Sequence, residues 1–528
     1  MKHASQLQRY AAQLAKQLAR QQAPSLDNSL LDYIDGHPDQ VLDSLQGLVE
    51  WLQAGKSDDD SLINGYLFLI GLQLEHIRYQ TDRHYHWAQT LVVQFQQQVV
   101  ELVHANQLPP AVLGQIVLAI QEAKLAVDPQ LFAVMEESME TYMEPPSEPP
   151  DLDELLASLA RDIQGDEFGV THALTEFTFA MPIQGRLGLA AAMLTSSFPV
   201  LREAAPLLVL DGRKEMRQGL ARLLLEQAGA LQPAGLRRLI AVRSWLPEEE
   251  RPLVDQAAKK ARQQGIESAH WAPGEDAEIH STMIDGSGAQ GFMIVSKAGR
   301  KHRLSSVLLR LRSGVVDAWT SSELQSKRTL DHQLRLAGRE TAMRIVPRRY
   351  LDRTVQHHLA VGCQAGQMPP LGLLEVAEVL GASDWRPNRL NMATTVDQLF
   401  QELPEAARNP EATARSLKTI DDWGDDSGIM ASWFEDDQAV ADLLSAHRGQ
   451  RFDVLSQQVL KEVIEPRREK WAEQILWVAL WLRESAGSDH ALWINFLLTA
   501  RAVLQGHSLK EIPLFTRIAS RTVMTQGG

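Results

Sequence analysis

Residues 277–319 read AEIHSTMIDGSGAQGFMIVSKAGRKHRLSSVLLRLRSGVVDAW, and their apolar period is two rather than 3.6. Within Leu304–Arg312, Val307, Leu309 and Leu311 fall on one face and Leu308, Arg310 and Arg312 on the other, as side chains do on a half-buried strand. Gly286-Ser287-Gly288, Ala298-Gly299 and Ser313-Gly314 supply turns. The segment therefore predicts strands over Ala277–Asp285, Gly291–Lys297, Leu304–Arg312 and Val315–Trp319. A small antiparallel meander resting on helices by its apolar face accounts for the alternation.

Working outward, the rest of the chain carries helical periods. Leu7, Ala11, Leu14 and Leu18 repeat at helical spacing, as do Leu91, Phe95, Val99 and Leu102. Residues 1–142 are expected to form an acidic helical bundle. MEPPSEPPD at 143–151 cannot continue a helix and predicts an extended linker. Residues 152–275 hold short helical segments in succession, and 276–322 form the basic meander. Helices return over 323–528, including one expected at Arg344–Leu359. Trp477 and Trp481 sit one turn apart there among Leu and Val, with Trp471 and Trp493 nearby, a packing signature.

Within the succession, Leu207–Leu224 reads LLVLDGRKEMRQGLARLL. Asp211 at the turn, Met216 and Arg217 opening the second helix, then Gly219 and Leu223, resemble one unit of the HEAT family of helical repeats. That resemblance implies stacked helix pairs forming a solenoid with a surface open to a partner. The fold class expected is mainly α: a multidomain helical bundle and HEAT-like α-solenoid with a small antiparallel β-meander insertion at about 277–319.

Composition narrows the function classes. A chain of 528 residues with 44% hydrophobic residues can bury more than one core. A net charge of -15 argues against a general nucleic-acid coat or a membrane-surface protein, though not against a local basic face. Cys363 is the one cysteine, so neither an intrachain disulfide nor a cysteine-based metal centre forms from this chain. The polar N-terminal segment lacks an apolar signal core, and apolar stretches such as Gly65–Leu74 are too short to span a bilayer. A cytosolic location is expected.

The candidate binding surface is the basic cluster after residue 296. Its principal cations are Lys297, Arg300, Lys301, Arg303, Arg310, Arg312, Arg348 and Arg349, with Arg344 and Arg353 beside them. Converging Lys and Arg bind phosphate backbones, while the alternative for the same charges is docking against the acidic N-terminal bundle or simple solvation. Gly286 to Gly291 matches GxGxxG, but a strand rather than a helix is expected next, so the motif reads as a hairpin loop. Glu75, Tyr79, Asp82 and His86 lie on one helical face, so a metal site is geometrically conceivable, but the chain lacks HExxH and a surface helix end with structural His is the reading expected. Asp421 to Gly428 reads as an acidic loop that, with Glu435-Asp436-Asp437, offers a docking patch for a basic partner.

No nucleophile elbow or phosphate loop is legible, so no catalytic residue, metal ligand or cofactor is expected. The reading that follows is a non-enzymatic helical scaffold that binds a protein partner through its repeat surface and basic meander. The alternatives are a nucleic-acid-binding protein using 297–353, and an enzyme whose site is assembled from distant residues.

Overall fold

The computed structural model describes residues 2–20, 26–54, 60–142, 152–163, 166–178, 181–340, 343–419, 429–486 and 492–526. The chain is mainly α-helical with one small antiparallel sheet. It divides into two compact units, Met1–Leu155 with Ala173–Arg186, and Leu156–His172 with Leu187–Gly528. The Pro- and Glu-rich stretch 143–151 and the acidic loop 421–428 lie outside the described residues.

The first unit is built from amphipathic helices, beginning with Lys2–Leu18, Asn28–Gly36, Gln40–Gln53, Asp60–Asp82 and His86–His104. Their starts follow local chemistry. Asp27 accepts a hydrogen bond from the Leu30 amide at 2.8 Å, capping the second helix, and Pro110 opens Pro110–Glu122, where its missing N–H costs nothing. Leu7, Ala11 and Leu14 enter one core with Leu45, Leu69, Ile70, Phe95 and Val99. The Asp60–Asp82 helix ends before His84, whose φ is 60°, and His86 opens the next helix. The helical face expected to carry Glu75, Tyr79, Asp82 and His86 is therefore broken at Asp82. A left-handed residue cannot continue an α-helix.

In the second unit, short helices stack in alternating pairs. The Ala205–Leu210 turn packs on Pro233–Val242, while Lys214–Glu226 packs on Arg251–Gln263. Arg217 ties this stack together. Its guanidinium bonds both carboxylate oxygens of Glu250 at 2.8 Å, and its remaining nitrogen bonds the carbonyls of Asp211 and Gly212 at 2.9 Å. Met216 and Leu220 are fully buried beside it.

The sheet has the order β4-β3-β2-β1-β5. Its strands are β1 Ala277–Thr282, β2 Ala289–Ala298, β3 Lys301–Arg310, β4 Gly314–Thr320 and β5 Met343–Ile345. The meander is as the alternation predicts, with β5 added. The helix expected from Arg344 begins instead at Arg348, because Pro347 holds extended backbone at its start. Met343–Ile345 is thereby free to pair with β1.

One sheet face carries Ile279, Phe292, Ile294, Val307 and Leu309, all buried. It meets the helices Arg348–Gln364 and Arg468–Glu484 through the ring contacts of Phe292 with Tyr350, and of Tyr350 with Trp477. The indole of Trp481 donates to the Ser281 carbonyl at 3.3 Å. Trp471, Trp477 and Trp481 are buried to 1% exposure or less, so the tryptophan spacing marks core. On the opposite face, Leu330 and Leu334 of the Lys327–Glu340 helix cover Val295 and Leu304, while Trp319 remains 40% exposed.

Gly286 shows why the GxGxxG match is not a phosphate loop. A Cβ there would lie 1.6 Å from the Ser432 carbonyl oxygen, so the glycine is required for close backbone approach. Its amide is already bonded to Ser432 Oγ at 3.0 Å. The chain then enters β2 instead of a helix.

Candidate functional site

The basic cluster is divided among separate places in the fold. Ala298 pairs with Lys301 across the β2–β3 turn, and Gly299 has a φ of 65°, the position a tight hairpin turn reserves for glycine. Lys297, Arg300 and Lys301 project from this tip, exposed, with no ion-pair partner among the described residues. Arg310 and Arg312 lie at the other end of β3, roughly 30 Å away at 3.3 Å per residue. Arg312 is exposed and Arg310 is half-buried.

The remaining cations are internal ties. Arg303 is 4.0 Å from Glu275. Arg348 bonds Asp352 at 2.6 Å and the Leu380 carbonyl at 2.9 Å. Arg349 and Arg353 share Glu484, at 2.8 and 2.9 Å. Burial works against the Glu484 charge, yet the hydrogen bonds from Arg349 and Arg353 outweigh it and hold that carboxyl below its ordinary range. Arg344 stacks on Trp481 at 4.9 Å, and burial lowers its pKa. The structure thus brings Lys297, Arg300 and Lys301 together and engages Arg303, Arg348 and Arg349 elsewhere.

The acidic patch expected at Glu435-Asp436-Asp437 is likewise engaged. Glu435 is buried and paired with Arg467 at 2.7 Å and Lys470 at 2.8 Å. Asp437 caps Gln438–Ala446 and also pairs with Arg467. A carboxylate buried this deeply needs those cations, so these side chains are not a free docking surface.

Features the sequence did not announce lie in the same unit. Arg238, with its side chain 5% exposed, bonds Glu378 at 2.8 and 2.9 Å, bonds Glu167, and lies 3.6 Å from Glu203. Near it, burial and then Asp166 push Glu375 up to about 7. His357 and His358 are buried side by side, with ring centroids 5.0 Å apart. The Leu390 amide donates to Nδ1 of His357, and the Thr354 carbonyl lies 2.8 Å from Nδ1 of His358. Burial and then His357 lower the pKa of His358 to about 3, keeping it neutral. Adjacent His letters in an apolar helix were the available signal, but only the fold reveals their burial.

Cys363 is half-buried, and its Sγ lies 3.4 Å from the Trp245 carbonyl. Burial raises its thiol pKa, which disfavours the nucleophilic thiolate. Among the described residues, no group of three His, Cys, Asp or Glu side chains is arranged to hold a metal ion. No helix among them is long and apolar enough to cross a membrane.

Comparison with known proteins finds sequence similarity without a functional description. Residues 182–265 match the family model described as Y4lR second domain, and 393–526 match the Y4lR C-terminal helical domain. The relative named Uncharacterized protein y4lR, from Sinorhizobium fredii (strain NBRC 101917 / NGR234), is 26% identical over 388 residues, covering 72% of this chain and 73% of that protein. No solved structure matches. The chain is therefore similar to y4lR, and the domain matches fall on helical regions on either side of the sheet.

Proposed function

We propose that this protein is a non-enzymatic scaffold that binds an acidic partner protein through the β2–β3 tip and the stacked-helix surface. The observation that carries the reading is the contrast within the basic cluster. Arg303, Arg348 and Arg349 have acidic partners from their own unit, whereas Lys297, Arg300 and Lys301 have none among the described residues. Unpaired cations at a hairpin tip favour encounter with an acidic surface through electrostatic steering.

A continuous phosphate-binding track would need cations spaced along one face. The tip is separated from Arg310 and Arg312 by the length of β3, and Arg348 and Arg349 are already paired. Protein is therefore the partner class proposed.

The test is fluorescence anisotropy with labelled poly-glutamate and with labelled single- and double-stranded DNA and RNA, at low and near-physiological salt. The expected result is poly-glutamate binding lost in the Lys297→Glu/Arg300→Glu/Lys301→Glu variant. Tighter binding of a nucleic acid, with a steep salt slope and the same sensitivity, would replace this reading with the nucleic-acid one.

A further inference from the structure

The helices Pro233–Val242 and Arg251–Gln263 leave an open groove of about 430 Å³ between them. Its apolar lining is Ile240, Val254 and Ala258, and Ile240 is 37% exposed. At one side Arg243 grips Asp255 through two hydrogen bonds of 2.6 Å. That pair is solvent-exposed, and each charge in it already has its partner. Lys259 and Arg262 at the other side are exposed, with no ion-pair partner among the described residues.

The arrangement selects for an occupant with two properties. An apolar side chain is needed to cover Ile240, since Val254 and Ala258 at the groove floor are already buried, and negative charge is needed opposite Lys259 and Arg262. The volume falls at the small end of ligand-pocket sizes of roughly 300–1,000 Å³, enough for large side chains but not a domain. A single strand of nucleic acid would bring the charge, but its bases stack on aromatic platforms, and no aromatic residue lines this groove.

We infer that the groove seats an acidic segment of a partner protein, with an aliphatic or aromatic side chain on Ile240, Val254 and Ala258 and carboxylates on Lys259 and Arg262. This places a specific contact on the stacked-helix surface. It rests on the scaffold reading but not on the hairpin tip. Asp255 adds selectivity, because an acid shifted toward the Arg243 side meets a carboxylate already in place.

The probe is a fluorescein-labelled ten-residue peptide of Asp and Glu with two central leucines, alongside a counterpart with serines in their place. Both are titrated with the full chain by anisotropy. The leucine peptide is expected to bind about tenfold tighter than the serine one. Lys259→Glu/Arg262→Glu weakens it by about tenfold or more. Ile240→Asp abolishes the leucine preference, and circular dichroism confirms that each variant is folded. The hairpin reversal at Lys297, Arg300 and Lys301 leaves these results unchanged, so loss of one site is distinguishable from loss of the other. Equal affinity for both peptides, or binding indifferent to Lys259 and Arg262, overturns the inference. So does a self-association removed by Ile240→Asp, which would make a second copy of the chain the occupant.

Discussion

Arg238 and Arg300 carry the same guanidinium and opposite structural duties. Arg238 is buried among Glu378, Glu167 and Glu203, while Arg300 stands in solvent at a hairpin tip beside Lys297 and Lys301. Arg238 joins elements distant in sequence, whereas Lys297, Arg300 and Lys301 at the hairpin tip have no ion-pair partner among the described residues. Positive charge along a sequence therefore does not locate a binding surface. The position of the acids decides.

The largest expected effect breaks the buried side of this contrast. Arg238→Ala leaves carboxylates buried without their counter-ion, and should cost about 3–5 kcal/mol in urea denaturation at neutral pH. Burial opposes ionisation of Glu378, but Arg238 and Arg237 outweigh it and keep its carboxyl below the ordinary range, so the loss should be largest where Glu378 is charged. A cost under about 1 kcal/mol would place Arg238 with the surface cations.

Next is the acid response of the histidine pair. His358 binds a proton near 6.5 when unfolded but only near 3 when folded. The unfolded chain thus holds more protons between these values, so stability is full above 6.5 and falls as pH drops toward 3. The contribution lost by pH 5 is about 2 kcal/mol. His358→Gln should flatten this limb in denaturation curves taken from pH 8 to pH 5, and an unchanged slope would refute the assignment.

Glu375 has the opposite sign. Burial, Asp166, Glu378 and Glu167 favour its protonated form, while Arg303 opposes them. The folded state keeps its proton from about 4.5 up to about 7, so this stabilisation falls as pH rises through that window. Glu375→Gln should be more stable than the parent above pH 7, measured by thermal melting at pH 8. Equal melting temperatures there would mean the site tolerates the charge.

The smallest stability change belongs to the hairpin. Lys297→Glu/Arg300→Glu/Lys301→Glu should alter unfolding free energy by no more than about 0.5 kcal/mol, while removing the proposed binding to acidic polypeptide. A large destabilisation would erase the distinction between paired and unpaired cations.

Much of this architecture was legible because its signals are local. Alternation across β3 and the turn at Ala298-Gly299 specified the meander, and tryptophans one helical turn apart marked core. β5 was missed because three residues carry no period of their own, and the pairing partner β1 lies beyond intervening strands and a helix. The fate of the arginines was illegible for a related reason. Arg238 meets Glu378 across 140 residues and Arg353 meets Glu484 across 131. The groove beside Ile240 depends on the spacing between two helices, which neither helix encodes alone.

Those long separations also bear on synthesis. Trp481 reaches Ser281 across 200 residues, and Gln474 reaches Asp285 across 189. At about 5–20 residues per second, the strands emerge from a ribosome roughly 10–40 s before the helix that covers them. For that interval Phe292, Ile294, Val307 and Leu309 have no native Trp-bearing cover. Nascent chains of this protein are therefore expected to need protection from aggregation until the Arg468–Glu484 helix has emerged.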